Sequence, residues 1–479
     1  MVHKHGPVLQ LAVVICLAGV LSALGATAAA AMSFTPPVDY DVGGRPADIA
    51  SADVNSDGRL DIVASAGGGI AILSGRAQGR FAPVARIALA HRPGALALAD
   101  VNGDGTVDIV TASSDDTVTV LLGDGSGSFM ASGTFPTGRA PADVVVGDVT
   151  GDRYADVATA DSGGDGMSIL RGDGSGGLLP PLDLPVGLRC TRLLCADLDR
   201  DGTMDLAYSR YSWEDYAGFG ILLADGAGGF TPRGTYETGG GDSGPHGLAL
   251  GDLNDDLEPD IAVLQGYEGG EVFAFLGDGL GLFVRANRTV FRTDMASANG
   301  LAIADLDRDG YEDVVTSAYR PGYTTSSGGR AVTVPTGPTR IYVLLRHAND
   351  GVFFQTTSFL AGRSLGELIA ADFNGDRRPD LAWTDAKSST VSVRMNGALP
   401  VLTGVAPAQG WIGDSITLTG KHLGVRGAVQ FGGKTAAAGA LWSPTRIKIT
   451  VPRGTPKGRV KVTVTTVVGQ SAARSFTRL

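Results

Sequence analysis

Residues 53–61 read Asp-Val-Asn-Ser-Asp-Gly-Arg-Leu-Asp, a loop with oxygen-bearing side chains at positions 1, 3, 5 and 9. Close copies of this loop bring the total to seven along the 479 residues. Their first members, from Asp53 to Asp372, are 47, 48, 49, 55, 53 and 67 residues apart. A repeat of that length is typical of one blade of a β-propeller.

The same spacing predicts a metal site in each loop. Carboxylates at positions 1, 3 and 5 of a tight loop converge on one point, and calcium prefers such hard oxygen ligands. No loop has the glutamate at position 12 that an EF-hand requires. The predicted ligands are Asp53, Asn55, Asp57 and Asp61; Asp100, Asn102, Asp104 and Asp108; Asp148, Thr150, Asp152 and Asp156; Asp197, Asp199, Asp201 and Asp205; Asp252, Asn254, Asp256 and Asp260; Asp305, Asp307, Asp309 and Asp313; and Asp372, Asn374, Asp376 and Asp380.

The seven copies are unequal at position 6, where a sharp turn favours glycine. Loops 1, 2, 4 and 6 have it, as Gly58, Gly105, Gly202 and Gly310. Loops 3, 5 and 7 have Arg153, Leu257 and Arg377 instead. We therefore expect up to seven calcium ions, with loops 1, 2, 4 and 6 occupied most readily and the other three more weakly.

Short apolar runs bounded by Gly, Asp and Pro flank every loop and indicate four strands per repeat. The run before each loop is apolar at nearly every position, which predicts a strand buried on both faces. The last repeat lacks its fourth strand, and residues 34–43 resemble the missing one. Pairing of these two ends would close the ring and remove an open edge.

The composition changes near Pro400. Residues 400–479 contain five lysines, six arginines and one acid, Asp414, whereas residues 32–399 contain a single lysine, Lys387. Short strand-like runs over about 80 residues suit a small β-sandwich. The predicted fold is all-β, a seven-bladed β-propeller followed by a small immunoglobulin-like β-sandwich. Its predicted parts are a signal peptide at 1–31, the propeller at 32–399 and the sandwich at 400–479.

The first residues have the pattern of a secretory signal peptide. A weakly basic start is followed by an apolar run at 8–24 and by small residues, which predicts cleavage near residues 28–31. We therefore expect a secreted, cell-surface or periplasmic protein with no membrane span after cleavage. Export permits a disulfide between Cys190 and Cys195, but five residues must then turn back on themselves. The sequence leaves open whether the two thiols are bridged or free.

These motifs carry a family resemblance. The acidic loop followed by Leu-Gly-Asp-Gly-Ser-Gly-Ser-Phe at 122–129 resembles the FG-GAP/VCBS repeats of integrin-α-like β-propellers, over residues 34–397. Phe431-Gly432-Gly433 and Val451-Pro452 lie in a segment that resembles an IPT/TIG domain. The resemblance implies a seven-bladed fold, structural calcium and often adhesion or glycan binding.

Ligand-binding candidates lie on the propeller face opposite the calcium loops. An arginine stands eight or nine residues before five of the loops, at Arg45, Arg92, Arg139, Arg189 and Arg363. One interpretation is a site for an anionic ligand such as an acidic glycan. The other is that these arginines pair with nearby acids or cap loops. Tyr211 and Trp213, on a long connection, could stack on sugar rings or simply pack that connection.

Charge and motifs narrow the class of function. The net charge of -11 disfavours nucleic acid as a partner, and no catalytic residue set is predicted. The favoured function is a secreted, calcium-stabilised binding or adhesion module whose partner is a glycan or a cell-surface protein. The alternatives are a polysaccharide-degrading enzyme built on a propeller and a structural component of an envelope. The oligomeric state is left open.

Overall fold

The computed structural model describes residues 33–211, 217–238, 244–265, 270–286, 291–292, 297–319, 323–327, 330–334, 339–346, 353–397, 400–424, 427–436, 441–466 and 468–479. Strands and turns account for the regular structure in these ranges, which confirms the predicted all-β class. The predicted signal peptide and Trp213 lie outside them. No helix in the described ranges is long and apolar enough to cross a membrane.

Seven antiparallel sheets follow one another through residues 38–394. Sheets 1 to 3 contain Pro46–Ala52, Asp61–Ala66, Gly69–Leu73 and Ala85–Ala88; Pro93–Ala99, Asp108–Ser113, Thr117–Gly123 and Phe129–Pro136; and Pro141–Gly147, Asp156–Asp161, Gly166–Leu170 and Leu182–Pro185. Sheets 4 and 5 contain Leu193–Ala196, Asp205–Tyr211, Ala217–Ala224 and Phe230–Glu237; and Pro245–Gly251, Asp260–Gln265, Glu271–Gly277, Phe283–Arg285 and Phe291–Arg292. Sheet 6 contains Ser297–Ala304, Asp313–Tyr319, Arg340–Arg346 and Phe353–Leu360. Two small hairpins are inserted, Gly75–Arg76 with Arg80–Phe81 and Tyr323–Ser327 with Arg330–Val334.

Sheet 7 joins the two ends of this region. Its strands are Leu365–Ala371, Asp380–Asp385, Thr390–Arg394 and, on the outer edge, Val38–Asp41. The last pairing is antiparallel and places Val38 opposite Val393. The outer strand thus comes from the start of the chain, as the missing fourth strand of the last repeat predicted.

The cores lie between neighbouring sheets. Each apolar cluster draws buried residues from two consecutive sheets, and the cluster that contains Ile62 and Val391 joins sheet 7 back to sheet 1. The first strands of consecutive sheets also contact one another around the ring, and the strand of sheet 7 contacts that of sheet 1. The sheets therefore stack face to face around a central axis, which is the architecture of a propeller.

Burial along the strands differs from the sequence prediction. The strand after each acidic loop is the most buried, and every residue of Asp61–Ala66 and Asp156–Asp161 is inaccessible or nearly so. The strand before the loop, predicted to be buried on both faces, is only partly so, as in Pro141–Gly147. This strand is innermost, so one of its edges meets the axis rather than another strand.

Residues from Val401 onward form a separate two-sheet unit. One sheet contains Val401–Ala406, Ser415–Lys421, Arg446–Thr450 and Leu441–Trp442. The other contains Gln409–Gly410, Arg474–Arg478, Gly458–Thr466, Ala428–Phe431, Lys434–Thr435 and Gly469–Gln470. Their inner faces share one core, in which the rings of Phe431 and Phe476 meet edge to face at 5.4 Å. This is an immunoglobulin-like sandwich.

Candidate metal centre

The seven acidic loops connect the first and second strands of their sheets, and they share one backbone conformation. In every loop the position-1 carboxylate accepts a hydrogen bond from the position-6 N–H, at 2.6–3.1 Å. Position 6 has a positive φ of 67–92° throughout. Arg153, Leu257 and Arg377 adopt this conformation at a cost of about 1–2 kcal/mol each. Loops 3, 5 and 7 therefore have the same shape as the glycine-containing loops.

Position 9 ties each loop to its own sheet. The seven aspartates at this position are 0 or 1% exposed. In each, Oδ2 accepts the position-2 N–H at 2.7–3.1 Å, and Oδ1 accepts an N–H at or just after the end of the third strand at 2.6–3.0 Å. In loops 1, 3 and 7 the residue at position 3 donates a further N–H to this carboxylate. The residue predicted only as a metal ligand thus also holds the loop in place.

Acidic side chains converge in loops 4 and 6. Carboxylate oxygens of Asp197, Asp199 and Asp205 lie within 4.8 Å of one another, as do those of Asp305, Asp307 and Asp313. Among the described residues these are the groups in which three acids meet. The other five loops have Asn or Thr at position 3, so their third oxygen is neutral. The glycine at position 6 predicts the same readiness to bind calcium for loops 1, 2, 4 and 6. The geometry of the carboxylates favours loops 4 and 6 among these.

Three buried oxygens at predicted ligand positions are without a hydrogen-bond partner. They are Oγ1 of Thr150 in loop 3, Oδ1 of Asp197 in loop 4 and Oδ1 of Asn374 in loop 7. An unsatisfied buried acceptor costs about 1–3 kcal/mol, and a bound cation removes that cost. The hard oxygens, the shared loop conformation and these three acceptors fit a divalent cation of the calcium type.

Burial raises the pKa of the position-9 aspartates above the ordinary value. The pKa rises to about 6 in Asp61 and Asp205, to about 7 in Asp260 and to about 8 in Asp313, in each case mainly through burial. Backbone N–H donors oppose the rise, and the other acids of the same loop add to it. Carboxylates crowded in this way gain most from a nearby positive charge.

The turn between the third and fourth strands of the next sheet packs against the loop. A Cβ added to Gly127 of sheet 2 would lie 3.2 Å from Cβ of Asn55 in loop 1, and one added to Gly79 of sheet 1 would lie 3.2 Å from Cβ of Asn374 in loop 7. In sheet 5 the N–H of Gly281 donates to the carbonyl of Leu198 in loop 4, at 3.1 Å. The walls of these loops therefore come from two sheets.

This contact predicts that Gly127→Ala weakens loop 1 as well as straining the turn. Gly127 has a φ of +85°, so alanine is strained there, and its methyl group also presses on Asn55. Gly187→Ala is the matched control, because Gly187 has a φ of +74° with no atom within 4 Å of the added Cβ. We expect Gly127→Ala to lower the free energy of unfolding by about 1 kcal/mol more than the control, and to weaken calcium binding in titration calorimetry. Equal effects would show that the turn does not shape the loop.

A second polar cluster, not recognised in the sequence, lies on or directly before the innermost strands. We name the axial cluster as Asp48, Asp143, Arg192 and Glu367. Arg192 Nη2 donates to Glu367 Oε1 at 2.5 Å, and its Nε donates to the carbonyl of His246 at 2.8 Å. Sheets 4 and 7 are not neighbours in the ring, so the contact between Arg192 and Glu367 spans its centre.

The carboxylates of the axial cluster also join neighbouring sheets. Asp48 accepts the N–H of Leu96 in sheet 2 at 2.8 Å, and Asp143 accepts the N–H of Leu193 in sheet 4 at 2.9 Å. Aligning the repeats on the first aspartate of each acidic loop places all four cluster residues five positions before it, which is the signal that sequence analysis missed. The cluster holds the ring together at its centre.

Three acids and one base leave the axial cluster short of positive charge. The pKa of Asp48 is raised to about 8, first by burial and then by the charges of Glu367 and Asp143. Burial likewise raises the pKa of Asp143 and of Glu367, and Arg192 opposes both shifts. Solvent still reaches 26% of the Arg192 side chain and 24% of that of Glu367.

The predicted ligand-binding arginines are all exposed. Arg189 donates to the carbonyl of Ser162 at 2.9 Å, which is a loop-capping role. Arg139 shares a pocket of 290 Å³ with Asp161, Asp165 and Asp183. None of the five arginines forms an ion pair with the described residues. The remaining three are Arg45, Arg92 and Arg363. They precede sheets 1, 2 and 7, which are adjacent in the ring.

Tyr211 and the two cysteines lie in packed surroundings. Tyr211 ends the second strand of sheet 4 and forms a bridge with Arg189, and its Cβ lies 2.7 Å from a Cβ built on Gly244. Packing of the connection thus accounts for its position. Cys190 and Cys195 are free and buried, and burial is the main cause that raises the pKa of both thiols. The open question of a bridge is answered by two free thiols in this structure.

Comparison with protein families identifies both parts of the chain. An FG-GAP-like repeat matches at residues 53–111, 100–159 and 148–208, and an IPT/TIG domain matches at 400–477. The chain therefore contains FG-GAP-like repeats within a propeller, followed by an IPT/TIG domain of immunoglobulin-like fold. Such domains are typical of ligand-binding and adhesion modules.

Similar solved structures include BBS1N, solved in complex with ARL6DN. It matches with 11% identity over 76% of this chain and 97% of its own, at a TM-score of 0.50. An Agrocybe aegerita lectin specific for non-reducing terminal N-acetylglucosamine has 20% identity over 67% of this chain and 86% of its own, at a TM-score of 0.43. A fungal alcohol oxidase of the AA5 family, in complex with copper, has 11% identity over 94% of this chain and 100% of its own, at a TM-score of 0.48. Identities this low concern the fold alone. No curated protein matches the chain.

Proposed function

We propose that this chain is a secreted, calcium-stabilised binding or adhesion module. The observation that carries the calcium part is the convergence of three carboxylates in loop 4 and again in loop 6. The remaining five loops share the same backbone conformation and would hold further ions, which gives a total of up to seven. A cation in a loop satisfies acids that burial and mutual repulsion otherwise disfavour, so binding stabilises the folded propeller.

The ligand in this proposal is an acidic glycan or an acidic cell-surface protein, bound on the face opposite the calcium loops. Arg45, Arg92 and Arg363 support it, because they are exposed, are free of ion pairs with described residues and precede adjacent sheets. An arginine binds a carboxylate or sulfate through two parallel hydrogen bonds. Several arginines on one rim would give both affinity and faster association.

A glycan array with and without a calcium chelator tests this proposal. We expect acidic glycans to be retained in calcium, and the triple variant Arg45→Ala/Arg92→Ala/Arg363→Ala to bind them at least about tenfold more weakly. Arg139→Ala serves as the control, because Arg139 shares its pocket with three acids. Product formation from a polysaccharide would favour an enzyme instead. Neither binding nor turnover would favour a structural envelope component.

A further inference from the structure

A groove of 890 Å³ lies between the calcium-loop side of the propeller and the IPT/TIG domain. We call it the junction groove. Loop 1 contributes Asp53 and Arg59, loop 7 contributes Asp372 and Asn374, and the hairpin of sheet 1 contributes Arg76. The IPT/TIG domain supplies the opposite wall, at residues 427–428 and 465–466. Two predicted calcium loops thus open into one groove of the volume that binds small ligands.

The hairpin of sheet 1 places a positive charge in this groove, at a turn position where other sheets have a negative one. In four other sheets the corresponding turn position is an aspartate that accepts the N–H two residues later, at 2.8–2.9 Å. These aspartates are Asp124, Asp173, Asp225 and Asp278. In sheet 1 the residue is Arg76, whose side chain has no acceptor atom. Arg76 is exposed and forms no ion pair with the described residues, whereas Arg59 already pairs with Asp57 at 3.2 Å.

Loop 7 offers an unused acceptor among the residues that line the groove. Asn374 is 9% exposed, and its Nδ2 donates to both carboxylate oxygens of Asp380, at 3.2 and 3.0 Å. That orientation leaves Oδ1 buried and without a partner. A cation in loop 7 would satisfy Oδ1 and occupy Asp372. Arg76 would then be left as the unpaired charge of the groove.

We propose that the junction groove binds an acidic oligosaccharide, with its carboxylate on Arg76 and its hydroxyl groups directed to a calcium ion in loop 7. This inference rests on the proposed calcium sites. Calcium accepts six to eight oxygens, so neighbouring sugar hydroxyls can complete its coordination. Arg76 pairs with a carboxylate through its fork of N–H donors. A uronic acid carries both groups on one ring, whereas an acidic peptide side chain carries only the carboxylate.

Titration calorimetry of the full mature chain with oligogalacturonate tests the groove. We expect binding in millimolar calcium that is lost in EDTA and is at least about tenfold weaker in Arg76→Glu. Arg80→Ala is the matched control, since Arg80 is exposed and lies across the same hairpin but does not line the groove. It should keep the affinity within about twofold. Arg76 is exposed, so both variants should unfold at the same temperature as the natural chain.

Other results would overturn the groove proposal. They are equal affinities in Arg76→Glu and Arg80→Ala, no binding of oligogalacturonate, or tighter binding of polyglutamate than of oligogalacturonate. The triple variant of Arg45, Arg92 and Arg363 separates this proposal from the proposed function. Loss of binding in that variant alone would reject the groove and keep the opposite face. Loss in Arg76→Glu alone would keep the groove and reject the opposite face.

Discussion

Removal of calcium with EDTA is expected to lower the unfolding temperature of the propeller by about 5 °C or more. At millimolar calcium and a Kd of about 10⁻⁴–10⁻³ M, each site adds from about 0.4 to about 1.4 kcal/mol to the free energy of unfolding. Three well-occupied sites then suffice, because about 1 kcal/mol corresponds to about 1.3 °C in a domain of roughly 370 residues that gains about 2.1 cal/mol/K of entropy per residue on unfolding. Differential scanning calorimetry with and without chelator measures the shift.

Variants of loops 4 and 6 assign the effect to particular ions. Asp199→Asn and Asp307→Asn remove one charge each and keep an acceptor oxygen in place. We expect each to lose about 1 kcal/mol in calcium and to match the natural chain in EDTA. Asp183→Asn is the control, because Asp183 is exposed and lies on the outer strand of sheet 3. An unfolding temperature that is the same with and without EDTA would refute calcium stabilisation.

Replacement of Arg192 by methionine is expected to be the most destabilising single change outside the loops. It removes the only base of the axial cluster and leaves Asp48, Asp143 and Glu367 facing one another. Removing one partner of a buried ion pair costs about 3–5 kcal/mol, and partial solvent access to Arg192 places the loss near about 3 kcal/mol. Urea unfolding at neutral pH measures it.

The loss should depend on pH. The pKa of Asp48 is raised to about 8 in the folded chain, so its contribution to stability is complete below its ordinary pKa and disappears as the pH rises through 8. Without Arg192 the carboxylates repel one another more strongly once ionised, so the deficit of Arg192→Met should grow from pH 5 to pH 9. Arg189→Met, at an exposed site three residues away, should lose about 0.5 kcal/mol at any pH. A deficit in Arg192→Met that is constant across this range would contradict the charge argument.

The repeat by itself predicts most of the fold. A loop that returns at nearly constant spacing specifies one sheet per repeat, and an unpaired strand at one end with a missing strand at the other specifies how the ring closes. Both follow from local patterns and from the rule that exposed sheet edges are avoided. The predicted burial of the first strand is wrong, because apolar residues alone do not reveal that one edge of this strand faces the axis.

For the candidate sites, too, some features can be predicted from the sequence and others cannot. The loop ligands can be read from spacing, since residues 1, 3, 5 and 9 of one turn are necessarily close together. Sequence could not show that position 9 is held by two backbone N–H groups, or that loops 4 and 6 bring three carboxylates together. Those features depend on contacts with the third strand and on side-chain orientation within the folded loop.

By itself the sequence determined the all-β class, the repeated acidic loops and the separate basic domain at the C-terminus, because each depends on short-range sequence pattern and composition. Tertiary structure alone decided the axial cluster and the junction groove. Arg192 and Glu367 are 175 residues apart in the chain, yet they meet at 2.5 Å because the ring brings sheets 4 and 7 to a common centre. Arg76 and Asn374 line one groove because the chain's last sheet packs against its first.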